Sequence, residues 1–239
     1  MKKSVSSILV LVFFAFISIT SLLLYPEFAG RAELDSIYHI NWAYQVSAAI
    51  KEGILYPRWL SESNNGYGSP TTIFYSPLFY LLTGLVNFYI PSLIVSLKVV
   101  TFTGFLLSGI SMYLFLKNFC SHTASVAGGV ALQLMPFHLI NLWRGALAET
   151  FAFFWLPLIL HFTYNGFKED KAYQWIGLSF SYAGLILSHL VSAYIFSFVI
   201  AAYAIFLTIE EKSLCRSIKS ITAISFGFSL SAIYFIPMI

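Results

Sequence analysis

LVSAYIFSFVIAAYAIFLTI, from Leu190 to Ile209, runs for twenty residues without a charged side chain. As a helix it is about 30 Å long, the thickness of a bilayer's hydrocarbon core. The run has company. Further helix-length apolar segments lie at 6–25, 73–90, 95–116, 123–140, 147–167, 172–188 and 218–239. The composition agrees, with 59% hydrophobic residues, 10% charged residues and a mean hydropathy of +0.81. A soluble domain needs about a quarter charged residues to cover its surface. In lipid the backbone must satisfy its own hydrogen bonds, which leaves helices or a closed barrel. A barrel needs short segments of alternating hydrophobicity. The long unbroken runs therefore predict an all-α, polytopic membrane protein.

Eight apolar runs conflict with the placement of charge. Lys2 and Lys3 put the N-terminus in the cytoplasm, and strict alternation then puts Lys212, Arg216 and Lys219 outside, against the positive-inside tendency. The conflict disappears if 73–90 does not cross. That segment opens Ile73-Phe74-Tyr75-Ser76-Pro77, ends near Asn87 and Pro91, and is rich in the aromatic residues of a membrane interface. The sequence thus predicts about seven transmembrane helices, with external juxtamembrane helices at 33–53 and 73–90. Lys117, Lys168 and Lys171 then lie inside with the late basic loop, and 138–149 and His189 lie outside.

The start of the chain reads as an uncleaved first span, because Phe28-Ala29-Gly30 is poorly placed for signal-peptide cleavage. Residues 1–239 form a single transmembrane module with one long external loop, 26–94. Ending at Pro237-Met238-Ile239, in or just after an apolar run, it looks like part of something larger or truncated. Cys120 and Cys215 are far apart and suggest neither a disulfide framework nor a metal cluster. The net charge of +3 has no basic, aromatic-laced patch behind it, so nucleic acid is not an expected partner. The expected location is the cell membrane, multi-pass, with a cytoplasmic N-terminus.

This topology gathers the unusual polar residues on one face. The first loop carries Glu27, Arg31, Glu33, Asp35 and His39; the second carries His138, Asn141, Arg144 and Glu149; the third turn carries His189. Ionisable groups near membrane depth are costly and mark cavities or functional sites. Between Glu33 and Gly53 the spacing predicts a helix with Leu34, Ile37, Tyr44 and Ala48 on an apolar stripe. Asp35, His39 and Trp42 fall together on another face. A carboxylate and an imidazole one turn apart can share a proton or ligate a metal. Equally, Asp35 suits a helix N-terminus and His39 an interface. Arg144 and Glu149 bracket Gly145-Ala146-Leu147-Ala148. They form either a structural ion pair or a site in which the guanidinium holds a phosphate. The stretch Asn64-Asn65-Gly66-Tyr67-Gly68-Ser69-Pro70 reads either as a loop folded over a site, with Tyr67 on substrate, or as an interfacial anchor. His138 and His161 read as packing or interfacial residues, and His122 carries no signal.

Taken together, the external acidic helix, the Pro57-Arg58-Trp59 and Gly66-Tyr67-Gly68-Ser69-Pro70 elements, Phe74-Tyr75-Ser76-Pro77-Leu78 and Arg144-Gly145-Ala146-Leu147-Ala148-Glu149 resemble a known family. The chain resembles the N-terminal module of GT-C type membrane glycosyltransferases. Closer still, it is similar to the bacterial and archaeal membrane-protein domain labelled 6-pyruvoyl-tetrahydropterin synthase-related. The GT-C resemblance implies transfer of a sugar from a polyprenyl-phosphate donor to an acceptor on the external face. It implies Asp35 as catalytic base or metal-associated acid, Glu149 as the assisting acid and Arg144 on the donor phosphate. His39, Tyr67 and His189 would complete substrate binding. No cofactor is certain; a divalent metal would fall to Asp35, His39 and Glu149. The short juxtamembrane helix of that family matches 73–90. Two departures are visible: Leu34 separates Glu33 from Asp35 where many relatives carry paired acids, and later spans and an external domain are absent. Nothing in the chain supports a pterin site.

The expected partners are membrane lipid, the lipid-linked sugar and further membrane domains or subunits. Two other functions compete. A transporter or flippase predicts mid-span charges, symmetric halves and broken helices. A non-catalytic membrane scaffold needs no clustered external charges.

Overall fold

The computed structural model describes residues 2–20 and 35–238. Glu27, Arg31, Glu33 and Leu34 lie outside the described residues, as does Phe28-Ala29-Gly30. The chain is all-α. The helices are α1 (Lys2–Ser18), α2 (Ser36–Lys51), α3 (Thr71–Phe74), α4 (Leu78–Tyr89), α5 (Leu93–Leu116), α6 (His122–Gln133) and α7 (Pro136–Arg144). They continue with α8 (Leu147–Ala152), α9 (Trp155–Glu169), α10 (Ala172–Ser188), α11 (Leu190–Glu211), α12 (Leu214–Leu230) and α13 (Ala232–Phe235). Side-chain caps set several starts: Ser92, Ser121, His189 and Ser213 each accept from a backbone N–H three residues on.

Among the described residues, four stretches are long and apolar enough to cross a membrane: Leu93–Leu116, His122–Arg144, Leu147–Glu169 and Leu190–Glu211. Helices α1, α10 and α12 have 17 residues each, the short end of the crossing range. Adjacent long helices alternate in direction, as their cross-links show. At one end of the bundle Ser7 bonds His122 at 2.7 Å, Lys168 pairs with Glu210 and Glu211, and Lys219 pairs with Asp170. At the other end Trp155 donates to Ser188 at 2.9 Å and Tyr234 donates to the Phe74 carbonyl at 3.0 Å.

The segment 73–90 is not the single helix expected. It is split into α3 and α4, with extended backbone at Tyr75 (φ −115°, ψ 133°). Pro77 supplies no N–H, and the Ser76 hydroxyl ties the break to the Ile186 carbonyl at 2.8 Å. With 12 residues, α4 reaches about 18 Å, too short for the hydrocarbon core. The final apolar run is also shorter than expected. Helix α12 stops at Leu230, and the chain then turns back so that Tyr234 is buried against the 71–77 segment.

Two of the long spans are broken. Pro136 forces Met135 into an extended conformation (ψ 130°) and separates α6 from α7. Pro157 offers no N–H to the Phe153 carbonyl, which interrupts the ladder between α8 and α9. His138 packs beside both breaks. Its ring is fully buried between Phe105 and Phe153, with centroids at 4.0 and 4.6 Å. Its two nitrogens lie 3.2 Å from the Leu132 carbonyl and 3.1 Å from the Thr150 carbonyl. Small and hydroxylated residues let α5 and α6 pack closely: a Cβ on Gly129 would lie 2.6 Å from the Gly109 carbonyl oxygen.

Helix α2 lies against α4 with an orientation opposite to the soluble pattern. His39, Ala43, Val46 and Ile50 are buried, and the apolar Ile37 and Tyr44 face outward. This is the arrangement lipid favours, since apolar side chains need no protein cover there.

Candidate functional site

The site is assembled where α7 ends. Arg144 is the last residue of α7, and Gly145 follows in the left-handed conformation with φ +83°. The Gly145 and Ala146 amides donate to the Leu142 and Asn141 carbonyls, and α8 starts at once with Glu149 in its first turn. Arg144 and Glu149 therefore sit on two helices joined by a tight turn, which is why a separation of five residues still brings them together. Gly145 does a second thing. A Cβ there would lie 2.5 Å from Cβ and 2.8 Å from Cα of Ser36. The turn thus packs directly on the start of α2, and Arg144 arrives beside Asp35.

The guanidinium bridges two carboxylates. Nε lies 3.1 Å from Asp35 Oδ2, and the NH2 nitrogen lies 3.0 Å from Glu149 Oε2. Asp35 and Arg144 are about half exposed, whereas the Glu149 side chain is 15% exposed. Exposed pairs contribute roughly 0–1 kcal/mol each, so stability alone is a weak reason for this arrangement. Asp35 stands at the N-terminus of α2, as one local reading had it, but its side chain caps no N–H of the helix; it goes to Arg144 instead.

Behind the ion pairs lies an aromatic wall. His39 is buried on α2, and its Nδ1 is 2.6 Å from the hydroxyl of Tyr80, itself buried on α4. Trp42 packs on His39, Tyr75 and Tyr80 with centroids at 5.6, 5.0 and 5.9 Å. Tyr75, at the break before α4, packs on both imidazoles, 5.8 Å from His39 and 6.3 Å from His189. Burial, followed by the neighbouring His189 and the Arg144 charge, pushes His39 down to about 3, so it is neutral. Burial also lowers His189, with Glu149 opposing and Arg144 assisting. Burial and the Glu149 and Asp35 carboxylates push Tyr75 up to about 12, so its phenol keeps its proton.

Asp35, Arg144 and Glu149 are thus in direct contact, and His39 and His189 line the same place. Tyr67 does not join them. Its ring is 86% exposed, and none of the contacts described for the cluster reaches it. Its loop is ordered all the same, pinned to α2 by Gln45 on Ser63 and Glu62 and closed by the Leu60–Ser69 bridge. No three His, Cys, Asp or Glu side chains among the described residues converge to hold a metal. The trio of Asp35, His39 and Glu149 is therefore not formed as a ligand set: both acids hold Arg144, and His39 Nδ1 is taken by Tyr80.

Tyr75 and Tyr80 are the residues that sequence reasoning missed. The available signal was a tyrosine inside an apolar helix, whose hydroxyl must find a partner when buried.

Residues 72–239 match the family described as the 6-pyruvoyl-tetrahydropterin synthase related domain, a family of membrane proteins, and the chain belongs to it. A protein of Lactococcus lactis subsp. cremoris (strain MG1363), called an uncharacterized protein, is 26% identical over 237 residues, 92% of this chain. The chain spans 38% of that relative's length. No solved structure gives a significant match.

Proposed function

We propose that the chain is the membrane module of a glycosyltransferase of GT-C type, acting on a polyprenyl-phosphate sugar at the end of the bundle that carries Asp35, Arg144 and Glu149. The observation that carries the reading is Arg144 held between two carboxylates contributed by separate parts of the chain. An apolar groove of about 410 Å³ supports it. Leu78, Leu82, Phe151, Phe154 and Trp155 help to line the groove, which lies beside α8, the helix of Glu149, and suits an isoprenoid chain. The opposite end carries Lys117, Lys168, Lys171, Lys212, Arg216 and Lys219. By the positive-inside tendency that end is cytoplasmic, as is the N-terminus, and the site faces outward across the cell membrane.

In this reading the donor phosphate draws Arg144 from its carboxylates. Asp35, freed, takes the proton of an acceptor hydroxyl. The hydroxyl oxygen bonds to the anomeric carbon, the bond from that carbon to the phosphate oxygen breaks, and the phosphate leaves with the electron pair. Arg144 offsets the charge that builds on it. Glu149 keeps the guanidinium oriented. Purified chain in proteoliposomes, given a polyprenyl-phosphate sugar and acceptor, is expected to transfer the sugar. Asp35→Asn is expected to lose about 100-fold or more, and transfer by this variant at the wild-type rate removes Asp35 as the base.

The broken spans favour a transporter on first inspection. However, His138 fills the space at the breaks in a buried stack, whereas a transporter keeps its unwound backbone around a cavity.

A further inference from the structure

Both histidines of the site are held through the same ring nitrogen, and from behind. His189 caps α11: the backbone N–H of Ser192 lies 3.3 Å from its Nδ1, and the Ser192 hydroxyl lies 2.7 Å from the same atom. A backbone N–H can only donate, so Nδ1 of His189 must be a bare lone pair. His39 Nδ1 faces the Tyr80 hydroxyl at 2.6 Å. Tyr80 is 1% exposed, and its proton has no other acceptor within reach among the described residues. Were Nδ1 of His39 the donor, that phenolic proton would be buried without a partner. Nδ1 is therefore bare here too.

A neutral imidazole with Nδ1 bare carries its proton on Nε2. Such a nitrogen donates a hydrogen bond, and it can neither accept a proton nor ligate a metal. Burial is the main cause that pushes both rings down; Glu149 opposes it at His189, and Arg144 assists at both. The other titratable groups facing them are Asp35, Tyr75 and Tyr80. The site therefore divides its labour. The carboxylates only accept, whereas the two imidazoles through Nε2 and the guanidinium donate, and such a donor set suits negatively charged oxygens.

We propose that His39 and His189 are a matched pair of neutral N–H donors to the oxygens of a phosphoryl group, with Tyr80 and Ser192 as the positioning residues that fix their tautomers. The inference rests on the phosphate-ester reading of the site given above.

The test uses the whole chain in lipid nanodiscs with 15N-labelled histidine rings. His39→Gln and His189→Gln each remove one resonance and so assign the two rings. Both are expected to show the pure Nε2–H form from neutral to mildly acidic pH. Tyr80→Phe is expected to turn the His39 ring into a tautomer mixture while His189 keeps its form. Addition of a short polyprenyl monophosphate is expected to move both Nε2–H signals downfield; the same shift with inorganic phosphate identifies the phosphoryl group alone as sufficient. An Nδ1–H or imidazolium ring at either position overturns the proposal. Signals unmoved by both probes overturn it as well, and a His39 ring untouched by Tyr80→Phe removes Tyr80 from its role. If the rings respond as expected but no sugar is ever transferred, the glycosyltransferase reading fails and the donor pair survives.

Discussion

Arg144 is placed by the residue after it. Gly145 combines φ +83° with a contact on Ser36 that leaves no space for a Cβ. Gly145→Ala must carry both the left-handed strain, about 1–2 kcal/mol, and a displaced α2 start. The expected result is a lower unfolding temperature in detergent together with loss of transfer activity. Arg144→Lys keeps the charge but lacks the planar fork that spans Asp35 and Glu149. It is expected to fold normally and to cut transfer at least about tenfold, as a loss of roughly 1.4 kcal/mol of transition-state contact would; a wild-type rate would show that the bridge is dispensable. These three charges were legible in the sequence because charge is scarce in it: in a chain with 10% charged residues, each one placed outside the basic loops is conspicuous. Tyr75 and Tyr80 were not legible for the opposite reason. Aromatic residues make up 18% of the chain, and a structural tyrosine looks like any interfacial one until its partner is seen.

At the scale of elements, hydropathy located the apolar runs well and their interruptions poorly. Periodicity placed α2 to within a few residues and separated its two faces, but did not say which face turns inward. The structure turns Ile37 and Tyr44 outward and His39 inward. The breaks at Met135 and Phe153 follow from Pro136 and Pro157, yet a proline does not announce what packs against the break. Here a single imidazole is wedged between the Leu132 and Thr150 carbonyls, and its one N–H donates to one of them. His138→Phe keeps the stack on Phe105 and Phe153 but removes the one ring N–H that donates to the Leu132 or the Thr150 carbonyl. A typical intramolecular hydrogen bond contributes about 0.5–1.5 kcal/mol. His138→Phe is therefore expected to unfold at lower temperature than wild type in calorimetry, and an unchanged transition would show that the ring serves packing alone.

At the scale of the whole molecule, the two ends of the bundle differ in chemistry. One holds lysines and arginine cross-braced to Asp170, Glu210 and Glu211, and the other holds the aromatic wall and the Arg144 bridge. The chain carries its own reporters of orientation. Cys120 lies in the turn between α5 and α6, Cys215 lies at the start of α12, and both are exposed at the lysine end. A membrane-impermeant maleimide added to intact cells is expected to label neither, and to label both once the cells are opened. Labelling of intact cells would turn the molecule over and place the site in the cytoplasm. The Arg144 bridge has one last consequence, for selectivity. The guanidinium already holds two internal anions, so under the phosphate reading proposed above the resting site would be its own competitive inhibitor. A stray monovalent anion gains little by exchanging with a carboxylate of equal charge. A phosphoryl group with more charge and more oxygens can win the exchange, and admission to the site is then decided by displacement before any bond is made or broken.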